Sequence, residues 1–168
     1  MKKSLLSRLD GVQSRTLWLI ASILLWTSCS IPSGVFEKTV TLPGQQWESS
    51  FKPRFDFNIT AADTTTLYNV YLVLRHTDAY SYNNIWIRGI IKRPGDSAAR
   101  SERYDLRLAT NEGWLGTGMD DIYEDRIIIQ PQTRFLRPGT YSFTLEQIMW
   151  DDPLKNILNV GVRIQRIP

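Results

Sequence analysis

The sequence predicts an all-β fold: a single β-sandwich domain, jelly-roll-like, of about eight antiparallel strands. Three observations carry that expectation. Apolar residues recur at every second position in segment after segment, the period of a strand with one buried face. Proline and glycine turn pairs separate those segments. No stretch longer than two turns shows the spacing of an amphipathic helix. A closed barrel is the lesser alternative.

The elements follow in order. Val35 to Leu42 reads as a weak strand that stops at Pro43-Gly44. Trp47 stands in a polar surround and is expected to fold back as a core plug. Phe51, Phe55, Phe57 and Ile59 alternate with Lys52, Arg54, Asp56 and Asn58, and Pro53 confines this segment to an edge or a strand start. Tyr68, Val70, Leu72 and Leu74 make the next apolar face. Ile85, Ile87 and Ile91 share a face across Gly89, with Trp86, Arg88 and Lys92 opposite, before the turn Arg93-Pro94-Gly95-Asp96. Tyr104, Leu106 and Leu108 follow. Ile127-Ile128-Ile129 is β-branched throughout and suited to a buried strand. Pro138-Gly139 turns the chain into Tyr141, Phe143 and Leu145, and the last strand sets Leu158, Val160, Val162 and Ile164 on one side.

The N-terminus carries a different pattern. Lys2, Lys3, Arg8 and Arg15 precede an apolar run from Leu17 to Trp26, then Thr27-Ser28-Cys29. That is the order of a secretory signal, and its apolar run is too short for a permanent anchor. A cysteine directly after the small residues is the acceptor expected in a bacterial lipoprotein signal, although Trp26 stands where leucine is usual. The reading is residues 1–28 as a signal peptide that is removed, 29–34 as a lipidated tether and 35–168 as the β-sandwich domain. An ordinary cleaved leader with an incidental cysteine, or an uncleaved N-terminal helix, are the alternatives. Two or three acyl chains hold a protein at a membrane where one does not.

Composition then excludes several classes. Once the leader is set aside, the chain carries sixteen basic and sixteen acidic residues, so its surface offers no electrostatic footprint for nucleic acid. Cys29 is the single cysteine and His76 the single histidine. That leaves no disulfide framework, no thiolate nucleophile in the domain and no zinc or iron ligand set. His76 is the only possible base for a Ser-His-Asp arrangement, nothing near it resembles a nucleophile elbow, and it reads as the end of a strand beside a loop. No catalytic residues and no cofactor are expected.

Three strings remain. Gly113-Trp114-Leu115-Gly116-Thr117-Gly118 lacks the flanking helix of a phosphate loop and is followed by Asp120 and Asp121. It is better read as a tight loop of positive φ angles pinned to the core by Trp114. Tyr80-Ser81-Tyr82-Asn83-Asn84-Ile85-Trp86 gathers aromatics and asparagines, which suits a protein contact, stacking on a sugar ring, or a loop folded onto its own core. Asp120, Asp121 and Glu124 are weak calcium candidates without the spacing of a dedicated loop.

Taken together these features resemble the gliding motility lipoprotein GldH family of the Bacteroidota. The resemblance rests on Cys29, Trp47, Arg75 with Tyr80, Tyr82, Asn84 and Trp86, and Asp105-Leu106 leading into the 113–118 string. It continues through Pro138-Gly139-Thr140-Tyr141, Gln147 and Val160-Gly161-Val162-Arg163. It implies a non-catalytic outer-membrane lipoprotein, an accessory part of the gliding and type IX secretion-linked machinery that docks on other envelope proteins. Absence of acids directly after Cys29 favours a periplasmic-facing position over the cell surface. Candidate contact residues are Tyr80, Tyr82, Asn84, Trp86 and Trp114. The alternative is a glycan-binding module in which the same aromatics stack on sugars.

Overall fold

The computed structural model describes residues 35–167; Cys29 and the leader lie outside the described residues. Eight principal strands form: β1 Val35–Thr41, β2 Arg54–Ile59, β3 Tyr68–Thr77, β4 Asn84–Lys92, β5 Arg100–Arg107, β6 Ile122–Thr133, β7 Gly139–Gln147 and β8 Ile157–Arg166. One sheet has the order β1-β8-β3-β6 and the other β2-β7-β4-β5, every pair antiparallel. First beside last, second beside seventh: this is the strand order of a jelly-roll-like sandwich. A short strand, Thr117–Met119, extends the first sheet beyond β6. Two small ladders, Gln46–Trp47 with Leu154–Lys155 and Ala109–Thr110 with Gly113–Trp114, close loops at one end.

The alternating residues meet between the sheets. Val70, Leu72, Leu74, Val160, Val162 and Ile164 face Phe55, Phe57, Ile85, Ile87, Tyr141, Phe143 and Leu145 in one buried cluster. The Phe57 ring stacks on Tyr141 at 5.5 Å and reaches Phe36 of the opposite sheet at 5.6 Å. Trp47 is 0% exposed and its indole N–H donates to the Phe51 carbonyl at 2.9 Å, which makes it the core plug its surroundings suggested.

Three expectations need correction. Ile128 is half exposed, not buried, because it stands on the outer face of β6 opposite Tyr71, while Ile127 and Ile129 on either side of it face inward; a bulge at Ile129 follows. In β8 a second bulge at Leu158 puts Ile157 in the core and leaves Leu158 only partly covered. Phe51, counted with the inward face of β2, precedes the strand and stays exposed.

Register fixes the two ends of the body. Val35 pairs with Gln165, and Tyr68 with Arg166, at the end where the described chain begins. Thr41 pairs with Asn159 and His76 with Ile157 at the other. Nine residue steps of β8 separate them, roughly 30 Å.

Candidate functional site

Every candidate residue named from sequence within the domain falls at the far end, away from Val35. The structure sorts them into a buried group and a displayed group.

The buried group surrounds His76, which is 0% exposed. Its Nδ1 lies 2.8 Å from the Thr77 carbonyl oxygen, which can only accept, so Nδ1 carries a proton. Its Nε2 stands 3.1 Å from Asp125 Oδ2. Tyr123, Trp114 and Tyr80 enclose the ring, with centroids at 5.7, 4.5 and 5.5 Å. Tyr80 is thus packing: it is 4% exposed, its hydroxyl donates to the Asn84 carbonyl at 3.0 Å, and burial pushes its phenol well above the ordinary range. Trp114 is the pin expected of it, but its glycines differ from expectation. Only Gly113 has positive φ, at 130°. Gly116 is needed for space, since a Cβ there would stand 2.9 Å from Asp125 Oδ2 and from the Glu124 carbonyl. The loop therefore lies flat on the acid that holds His76.

The displayed group centres on a residue that sequence reasoning missed. Trp150 is 102% exposed, carried on the loop from β7 to the Leu154–Lys155 strand. Several bonds brace that loop. The Gln147 carboxamide, itself buried, accepts from the Met149 N–H at 2.8 Å and donates to the Asp151 carbonyl at 3.2 Å. Tyr82 donates its hydroxyl to Asp151 at 2.7 Å, and that carboxylate hydrogen bond raises the phenol's pKa. The Ser49 N–H donates to Asp152 at 2.8 Å, and those bonds from Ser49 lower the Asp152 pKa. The Ile148 N–H donates to the Trp86 carbonyl at 3.0 Å. Trp86 sits beside the loop, 37% exposed, with the Arg103 guanidinium 5.7 Å from its ring. Asn84 spends its amide on Asp105 at 2.6 Å. Tyr82, Trp86, Met149 and Trp150 thus share one region on a fixed frame.

The acidic string does not assemble. Glu124 pairs with Arg75 at 2.8 Å and Arg126 at 2.9 Å, while Asp120 and Asp121 lie in the tight turn between Met119 and Ile122. Among the described residues, no group of three or more His, Cys, Asp or Glu side chains stands together as a metal site.

A family model described as GldH lipoprotein matches residues 34–164. The chain is similar to a gliding motility lipoprotein GldH homolog of Christiangramia forsetii, 25% identical over 155 residues that cover 88% of this chain and 92% of that one. It is similar also to the gliding motility lipoprotein GldH of Flavobacterium johnsoniae, 26% identical over 163 residues, 92% of this chain and 98% of the relative.

Proposed function

This chain belongs to the GldH lipoprotein family, and from that premise we propose that it is a lipid-anchored docking protein of the gliding apparatus. Acyl chains on Cys29 hold it to the outer membrane, facing the periplasm. It does no chemistry. It works by engaging a protein of the motility or type IX secretion machinery through the far end of the sandwich.

One observation carries this reading: a wholly exposed tryptophan on a loop held from several directions. Large apolar side chains are not ordinarily left in water on a braced frame, and tryptophans so placed are the residues that dominate protein interfaces. Bracing also lowers the ordering cost of association. The end-to-end arrangement agrees with it. Val35, which follows the Cys29–Gly34 stretch in sequence, and the Trp150 loop lie at opposite ends of the sandwich. The sealed state of His76, with both ring nitrogens engaged, supports a non-catalytic role. Aromatics stack on sugars too, but Tyr82 and Asn84 already use their polar ends within the protein.

The test is a chromosomal Trp86→Ala/Trp150→Ala double variant, with a photo-crosslinker placed at Tyr82 in both backgrounds. The expected result is a membrane-bound protein at normal level, loss of the crosslinked partner band and loss of colony spreading. Normal spreading with unchanged crosslinks would overturn the reading. Retention on a glycan array that vanishes in the double variant, with crosslinks intact, would transfer the site to sugar binding.

A further inference from the structure

A second surface lies at the side of the sandwich. The strand Thr117–Met119 pairs with β6 only over Ile122, Tyr123 and Glu124. At Gly116 the chain turns away, and the Leu115 N–H donates instead to the Leu108 carbonyl at 2.8 Å. From Asp125 onward β6 pairs with β3 on one side and with no described strand on the other. A groove of about 560 Å³ runs along that free edge. Its wall includes five consecutive residues, Glu124 to Ile128, so it follows the backbone rather than either face of the strand. Opposite stands Arg107, at the end of β5, itself the outer strand of the second sheet.

The geometry points to a β-augmentation site, in which an extended segment of a protein partner continues the line of Thr117–Met119 along Asp125–Ile128. The unpaired backbone of β6 supplies the hydrogen bonds. Leu115 and Ile128, both exposed, supply apolar contact for alternate side chains of the guest. Charge selects the guest's chemistry. Glu124 is neutralised by Arg75 and Arg126, and Asp125 is buried against His76, whereas Arg107 has no ion pair among the described residues. The guest is therefore an apolar-alternating segment with an acidic residue facing Arg107. The bulge at Ile129 and Pro131, which has no N–H, end the slot after about four residues, roughly 13 Å. This site is distinct from the Trp150 surface and does not depend on it.

The test selects peptides from a random ten-residue display library against the detergent-solubilised full-length chain. The expected winners alternate apolar residues and carry an acid. Bound, they slow amide exchange between Asp125 and Ile128 by about tenfold or more. Arg107→Glu weakens them about two- to fivefold, the worth of one exposed ion pair, without altering the melting temperature. N-methylation of alternate peptide amides abolishes binding with the protein untouched. The proposal is overturned if no sequence is enriched, if the winners protect the Trp150 loop instead, or if N-methylated peptides bind equally well.

Discussion

Asp125→Ala isolates the buried pair on which the far end is built. Both partners are shielded from water, so the substitution strands the Nε2 side of His76 beneath Trp114, Tyr80 and Tyr123. Removing one member of a buried pair costs about 3–5 kcal/mol, and the space opened under Gly116 adds to it. In a domain of this size that is a fall in melting temperature of roughly 10–20 °C. The informative measurement is a double-mutant cycle with His76→Leu, read by urea unfolding and tryptophan fluorescence. Trp114 lies 4.5 Å from the ring and reports the site directly. Because His76→Leu removes the group that Asp125→Ala would strand, the double variant should lose about 1–3 kcal/mol less than the two singles combined. Additivity within about 0.5 kcal/mol would refute the pair as a coupled unit.

Other outcomes follow from single observations. Trp47→Ala should cost about 3–5 kcal/mol as a buried plug, while Trp150→Ala should shift stability by no more than about 0.5 kcal/mol; equal melting losses would disprove the contrast. Gly161→Ala should cost about 1–3 kcal/mol, because its Cβ would meet the Lys38 carbonyl oxygen and stand 2.6 Å from Thr39 Cγ2. Hydrogen exchange would show the loss as faster opening of β1, and unchanged β1 protection would contradict it. Glu146 is desolvated, which raises its pKa, but hydrogen bonds from Lys52 and Arg88 outweigh that and hold it below the usual carboxylate range. Its contribution is therefore present above the unfolded value of about 4.3 and lost as pH falls through the folded one. Wild type should lose more stability than Glu146→Gln between pH 5 and 3, and parallel acid melts would remove the ion pairs from the account.

Alternation alone placed most of the strands, because one-sided burial writes itself into every second residue. What it missed were insertions and distances. The bulge at Leu158 adds one backbone residue without changing composition, so the face assigned there slips, and the unbroken run Ile127-Ile128-Ile129 hides which of its members points outward. His76 and Asp125 are 49 residues apart and become neighbours only through the pairing of β3 with β6. Trp47 and Trp150 are each followed directly by polar and acidic residues, in Q-Q-W-E-S and I-M-W-D-D, yet one is wholly buried and the other wholly exposed. The difference lies in Gln147, whose buried carboxamide holds the second string outward, and a lone glutamine at a strand end gives no such signal. Of the aromatic candidates, Trp86 and Tyr82 border the displayed region while Tyr80 and Trp114 support it from below.

The seating of β1 has a mechanical meaning. It enters at Val35 and runs antiparallel to β8 across seven paired residues. Force applied at residue 35 against force applied at residue 150 would act along the strands, loading those rungs side by side in shear. Pulled between residues 35 and 166, which share one end, the same ladder would instead peel rung by rung. Single-molecule extension with handles at 35 and 150 should therefore demand clearly higher rupture force than handles at 35 and 166.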